Sequence, residues 1–367
     1  MSQALLEPEA AQATRLELID CDIHPVLRST EALRPYLPRR WRDELDTFGF
    51  RSRGAFLSSP AYPKATPALS RRDAWPPGGL PPGSDLAFMR QQHLDFYGVD
   101  VGILQVLFPS GKDERNLDFG AAVCAALNDW QVAEWTEPEP RLRASITVAC
   151  DDAEAAVAEI RRCAPRRDFA SVFVSARTTE PLGRKRYWPV LRAAAEAGLP
   201  VGVHAGGANG VPMTSAGWPS FYIEDHQGGA SVMQSLLTSL VFEGVFERFP
   251  GLRVVLVEGG FGWAPPLLWR MDRHWERMRR EVPHVRRPPS EYVRESVWFA
   301  TQPIVEPERA GDMRAVLDWL GRDRILFSSD YPHWDMDDPR LAFKVKLSER
   351  ERRAIFAENA RAAYRLG

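Results

Sequence analysis

Eight short apolar runs, each bounded by Gly, Pro or charge, recur along the chain: LELIDCD (16–22), VGILQVL (101–107), RASITVAC (143–150), FASVFVSA (169–176), LPVGVHA (199–205), RVVLVEGG (253–260), SVWFATQP (296–303) and RILFSSDYP (324–332). Near-continuous hydrophobicity over so few residues is what a strand buried on both faces requires; a half-exposed strand would alternate. The stretches between them change period. Residues 115–135 carry Leu117, Ala121, Cys124, Leu127 and Trp130 at helical spacing. Residues 151–164 open on Asp151 and Asp152, suited to a helix N-terminus, and 187–197, 229–248, 264–280 and 307–321 fill the later gaps. The last helix begins with a capping-box pattern, Ser348 with Glu351, and runs through Ile355, Phe356 and Tyr364.

Strand alternating with helix predicts right-handed parallel crossovers, and eight such units close a (β/α)8 TIM barrel of the α/β class. A doubly wound open sheet shares the alternation, but no GxGxxG opens the first strand-to-helix turn. The expected organisation is a disordered leader over 1–15 and one barrel domain over 16–367, with long insertions after strands one and five. The first, 25–85, contains the Pro- and Gly-dense segment SSPAYPKATPALSRRDAWPPGGLPPGS; the second, 206–228, reads GGANGVPMTSAGWPSFYIEDHQG. Both leave strand ends on the face where such barrels do chemistry, so both are expected over the active site.

Composition narrows the partners. Forty-seven Lys and Arg against 49 Asp and Glu give a net charge of −2, which argues against nucleic acid or an anionic membrane. No apolar run is long enough to span a bilayer. Cys21, Cys124, Cys150 and Cys163 show no CxxC spacing and read as reduced core thiols, so a cytoplasmic location is expected.

The candidate chemistry lies where strands end. Asp22 and His24 follow strand one, His204 closes strand five, and Asp330 follows strand eight. Imidazole and carboxylate are ligands for a borderline-to-hard divalent cation, and C-terminal strand ends converge on one barrel mouth. Two carboxylates make the set harder than an all-imidazole one, which moves the expectation from strictly zinc to zinc with manganese as the alternative. Asp330 beside the ion suits proton transfer. Glu258, before two glycines at the end of strand six, would be crowded by Asp22 and Asp330 and so hold its proton, as a general acid must. Each has a plainer alternative. Asp22 reads equally as a turn cap, His204 as a hydrogen-bonded core residue, and Glu258 as a buried partner of Arg270 or Arg273. His226 in the second insertion reads either as a surface residue or as the acid/base group. His333 is expected to support Asp330, while His93 and His284 read as surface. Trp218, Tyr222 and Trp334 are expected as pocket wall, and Arg28 as a partner for a substrate carboxylate.

The stretches IDCDIHP, YLPRRW, VGVHAGG, FERFPGLRVVLVEGGFGWAPPLLWRMDRHW, FATQP, ILFSSDYPH and ENARAAYRL resemble the amidohydrolase-related family typified by aminocarboxymuconate semialdehyde decarboxylase and the metal-dependent aromatic acid decarboxylases. The likeness runs from residue 16 to the C-terminus. It implies that Asp22 and His24 stand for the family's strand-one metal pair, His204 for its strand-five histidine, and Asp330 for its strand-eight aspartate. Many relatives carry a histidine at strand six where this chain has Glu258, which puts the acid/base assignment between Glu258 and His226.

These readings combine into an expected metal-dependent enzyme that cleaves a C–C bond, as a decarboxylase would, in a small carboxylated aromatic or unsaturated molecule. Metal-water hydrolysis of a C–N, C–C or ester bond is the alternative, and a degenerate ligand-binding barrel a further one. The expected cofactor is one divalent ion, and the expected partner a small-molecule substrate, with the resemblance adding a homodimer.

Overall fold

The computed structural model describes residues 15–49, 69–108, 111, 114–205, 212–213 and 216–367. Nearly all of the expected leader, residues 58–68 of the first insertion's Pro-rich segment and part of the second insertion therefore lie outside the described residues. Eight strands, β1 (Ile19–Ile23), β2 (Val101–Leu104), β3 (Leu142–Thr147), β4 (Phe169–Ser175), β5 (Val201–His204), β6 (Val254–Val257), β7 (Val297–Ala300) and β8 (Ile325–Leu326), form one sheet in the order β1 to β8. Every neighbouring pair is parallel. The eight predicted strands are therefore all present.

The ring is completed between β1 and the segment after β8. Cys21 N donates to Phe327 O at 3.1 Å, Asp330 N to Asp22 O at 3.1 Å, and His24 N to Tyr331 O at 2.8 Å. These bonds make the fold a (β/α)8 barrel, and they place the DCDIH and SSDYPH segments side by side.

Alternation along the strands divides the apolar residues into two clusters. Val254 and Leu256 of β6 join a large cluster that takes in helix residues such as Leu237 and Leu268. Val255 and Val257 join a smaller one with Ile103, Trp298 and Leu326. The smaller cluster is the inside of the barrel, plugged from below by Ala360 and Tyr364 of the C-terminal helix. That terminal segment starts as predicted: Ser348 N donates to Glu351 Oε2 at 2.6 Å and Glu351 N to Ser348 Oγ at 3.3 Å.

The crossover helices Leu117–Gln131, Ala153–Cys163, Trp188–Glu196, Ala264–Met278 and Ala310–Leu320 fall within the predicted stretches. Asp152 caps the second of these, accepting from Ala155 N at 3.0 Å. Three elements differ from expectation. The helix expected over 229–248 begins at Tyr222, runs to Phe242 and is followed by Val245–Arg248. The first turns of that helix are polar (Glu224, Asp225, His226, Gln227), so hydrophobic periodicity does not reveal them. A helix over Pro289–Ser296, with Pro at its first turn, precedes β7, and the first insertion contains a helix over Arg39–Phe48. The first insertion returns tightly onto the end of β1: Val26 N donates to Gly83 O at 2.9 Å. Gly83 has φ +77°, and a Cβ there would meet His24 O at 2.5 Å, so the close approach requires glycine.

All four cysteines are buried and none forms a disulfide. Among the described residues no helix is long and apolar enough to cross a membrane.

Candidate metal centre

Four of the candidate ligands meet in one buried cluster. His24 Nε2 stands 2.8 Å from Asp330 Oδ1 and 3.3 Å from Asp22 Oδ1, and His204 Nε2 stands 3.6 Å from Asp22 Oδ2. Each of the four side chains is at most 2% exposed. Strand geometry brings them there: His204 is the last residue of β5, and Asp22 lies within β1, hydrogen-bonded through its carbonyl to Asp330.

The cluster is built for a cation. Neither oxygen of Asp22 accepts a hydrogen bond among the described residues, although both are buried. An orphaned buried carboxylate is costly unless something positive meets it. His24 Nδ1 lies 2.8 Å from the carbonyl of Gln105, which can only accept, so that nitrogen carries the proton and Nε2 turns towards the two carboxylates. With a cation in the cluster, Nε2 would offer it a lone pair, the tautomer being set from behind. Without one, burial is outweighed by Asp22 and Asp330, which raise the His24 imidazole well above its usual range, so that Nε2 carries a proton. Burial pushes the Asp330 carboxyl well up, only partly offset by its hydrogen bond to His24. Asp22 is held below the usual range against its own burial by the imidazoles of His24 and His204. A divalent ion would take over the positive charge that these buried carboxylates require, leaving the imidazoles neutral.

Other groups orient the cluster. Gln302 Nε2 donates to Asp330 Oδ2 at 3.0 Å and to Asp335 Oδ2 at 3.1 Å. His333 Nδ1 lies 2.6 Å from Asp330 Oδ1, and its ring stacks on His24 at 4.5 Å between centroids. Below them, Asp20 accepts from Ser329 N at 2.8 Å and from Asp22 N at 3.2 Å, and its Oδ2 lies 2.7 Å from His93 Nε2. His93 is therefore not a surface residue: it is 1% exposed, because the helical segment carrying it packs against the β1 and β8 ends. Gln302, Asp335 and the Asp20–His93 pair were missed by sequence reasoning. The signal for the first two was their place just beyond strands seven and eight, in FATQP and SDYPHWD.

Glu258 follows β6, whose Val257 is paired with His204, so its Oε2 comes within 3.0 Å of His204 Nε2. Burial raises its pKa; His204 opposes this and Asp330 adds to it. Glu258 and Asp330 have φ of +55° and +66°. Left-handed backbone at a side chain other than glycine costs about 1–2 kcal/mol, and its recurrence at two site residues marks an imposed geometry. Neither Arg270 nor Arg273 pairs with Glu258, and Arg273 instead meets Glu276 at 3.0 Å.

His226 Nε2 stands 3.1 Å from Asp335 Oδ2, and that hydrogen bond raises its pKa against burial. Trp334 Nε1 donates to Tyr222 Oη at 3.2 Å, and the Trp334 and His226 rings lie 5.6 Å apart. A cavity of about 680 Å³ opens from this corner, lined by Glu258, His226, Asp335 and Trp334 together with residues that follow β6 and β7. Tyr222 sits behind Trp334. Trp218 and Arg28 are not among the lining residues: Trp218 is exposed, and Arg28 donates from Nε to Ser84 O at 3.3 Å.

The family profile described as Amidohydrolase matches residues 19–366. This chain belongs to the amidohydrolase family. Among curated amidohydrolase-like relatives, the γ-resorcylate decarboxylase of Polaromonas sp. (strain JS666 / ATCC BAA-500) is 24% identical over 300 residues, covering 77% of this chain and 88% of that protein. The Rhizobium sp. (strain MTP-10005) γ-resorcylate decarboxylase is 24% identical over 295 residues, with the same coverage. Among solved structures, 5-carboxyvanillate decarboxylase from Sphingomonas paucimobilis superposes with a TM-score of 0.69 at 21% identity, over 96% of this chain and 100% of that one. A dihydroxybenzoic acid decarboxylase from Polaromonas sp. JS666, holding manganese and the inhibitor 2-nitroresorcinol, gives 0.63 at 19% identity, over 96% and 97%. These structures share the barrel fold of the amidohydrolase chain described above.

Proposed function

We propose that this amidohydrolase is a metal-dependent carboxy-lyase that removes CO2 from a small aromatic or unsaturated acid. The observation that carries the reading is the cluster of Asp22, His24, His204 and Asp330, with the bare oxygens of Asp22 at its centre, joined through Glu258, which stands 3.0 Å from His204, to the cavity that Glu258 lines. The decarboxylase names of the relatives support it. The manganese held by the Polaromonas structure, together with the two-carboxylate donor set, favours manganese over the zinc expected from sequence.

When bound, the divalent ion supplies positive charge that fixes an anionic substrate group and offsets the buried carboxylates. Everything else falls to the protein. Replacing a C–CO2 bond by C–H consumes one proton, delivered to the carbon that loses CO2. Glu258, buried and with its pKa raised, holds a proton at the cavity's inner end and is the proposed donor. Asp330 takes part both as ligand and as a proton-handling group, oriented by Gln302 and His333. His226, held by Asp335 at the cavity wall, is placed to return a proton to the site from outside.

The test is incubation of manganese-loaded protein with a panel of hydroxybenzoic acids, following CO2 release. Metal-dependent turnover that a chelator abolishes is the expected result. Release of an amine or alcohol from amide or ester substrates, with no CO2 from any acid, would replace the reading by hydrolysis.

A further inference from the structure

The cavity's walls are unequal in a way that bears on the substrate. Phe261, Trp263, Val305, Met313, Val316 and Trp334 give it a mostly apolar surface away from the metal cluster. Its charged lining residues are Glu258, Asp312 and Asp335, all acidic, and no Arg or Lys lines it among the described residues. His226 is the one lining group able to carry positive charge, and Asp335 already engages it at 3.1 Å. Asp312 is itself paired: Arg309 donates to both of its oxygens, at 2.9 and 3.0 Å, so that the arginine's charge is already met at the rim. The volume of about 680 Å³ is that of a pocket for a drug-sized molecule, about 300–1,000 Å³, and exceeds what one benzene ring fills.

We propose that the acid accepted here carries, beyond its reacting carboxylate, a bulky uncharged apolar body larger than a single ring, and that a second carboxylate on that body is rejected. The inference rests on the reading of this cavity as the acid-binding site. Two effects act together. A fused ring or alkyl extension transfers its surface from water to Phe261, Trp263, Met313 and Val316. A distal carboxylate would lose its hydration with no uncommitted cation to meet it, since Arg309 is held by Asp312 and His226 by Asp335.

The experiment compares affinities by isothermal titration calorimetry on the manganese-loaded full chain, with KM read in place of Kd for any acid that turns over. Three probes share one head group: salicylate, 3-hydroxy-2-naphthoate and 2-hydroxyterephthalate. The naphthoate should bind about tenfold or more tightly than salicylate, from the added buried ring alone. The terephthalate should bind about tenfold more weakly than salicylate. Val316→Arg places a cation on the distal wall and should bring the terephthalate level with salicylate or above it. Wild-type protein that binds the terephthalate as tightly as the naphthoate, or that binds none of the three, overturns the inference; this comparison needs no variant to fold. The two readings also fail separately. The expected order without CO2 release from any acid ends the decarboxylase reading and leaves the pocket preference. Turnover of the terephthalate in preference to the naphthoate keeps the reaction and ends the preference.

Discussion

His24 Nε2 lies 2.8 Å from Asp330 Oδ1, although 306 residues of chain separate them. The contact spans the seam at which the barrel closes, where β1 and the segment after β8 are joined by three backbone hydrogen bonds rather than by a long ladder. Closing the seam gathers Asp22 and Asp330 into one buried space, and the two carboxylates repel. The functional centre is thus also a weak point of the fold unless a cation holds it together.

That relationship predicts a metal-dependent melting temperature. Purified protein should carry about one divalent ion per chain by elemental analysis, and a chelator should lower Tm. An ion at about a hundred times its Kd contributes ~2.7 kcal/mol. For a chain of this size each kcal/mol moves Tm by about 1–2 °C. Readdition of manganese or zinc should restore the original value, and an unchanged Tm in metal-free protein would count against the site.

Variants at the three proton-handling groups should separate their roles. Glu258→Gln keeps the shape and hydrogen bonding of the side chain but cannot transfer a proton, so metal content should persist while kcat falls by about 10²–10⁴. Asp330→Asn should lose activity by more than its metal loss accounts for. Full activity in Glu258→Gln combined with inactivity in His226→Asn would move the acid/base role to the second insertion.

Gln302 is expected to matter without touching substrate. Its amide bridges Asp330 and Asp335, and Gln302→Leu would leave both carboxylates short of a donor at nearly constant volume. The expectation is metal affinity about 10–100-fold weaker, the usual effect of losing a group that orients a ligand. Gln302→Glu, which adds charge instead, should bind metal but with altered pH dependence. Metal titration by calorimetry on Gln302→Leu tests the point, and unchanged affinity would assign Gln302 to packing alone.

Asp337 offers a pH test outside the metal cluster. Burial first, then Asp335, Asp330 and Glu306, raise its carboxyl to about 7, while the Ile304 N–H at 2.9 Å opposes the rise. An aspartate in the unfolded chain titrates near ~3.9, so the folded state binds this proton more tightly. The stability associated with the neutral carboxyl is fully present below about pH 4 and is lost as pH rises through about 7. Asp337→Asn keeps an acceptor for Ile304 and cannot ionise. It should therefore be more stable than the parent at pH 8, by about 1 kcal/mol or more, with the gain shrinking towards pH 4. Melting at both pH values at equal metal saturation checks the sign.

The strands, most crossover helices and the metal-ligand candidates were legible in the chain because each depends on local information. A run such as RVVLVEGG specifies a buried strand by its own hydrophobicity. A barrel then places every strand's C-terminal end on one face, so Asp22, His24, His204 and Asp330 could be collected without knowing a single contact. The residues that orient them carry no such mark. Gln302 and Asp335 act only because β7 and β8 set them 3.1 Å apart, and His93 looked like a surface histidine until a helical segment packed it onto Asp20. The same holds for Arg28, whose charge suggested a substrate carboxylate but whose position directs it to Ser84.

Periodicity, and with it the barrel and the face on which its chemistry lies, can be read from the chain alone, since burial on two faces and helical spacing are properties of neighbouring residues. The partner of each polar group and the character of the cavity came from packing in three dimensions. Hydrogen bonds form at about 3 Å, and no pattern along the chain encodes which two side chains from remote segments come that close. The balance of acidic and apolar lining, with Arg309 held by Asp312 and His226 by Asp335, is likewise a result of packing rather than of composition.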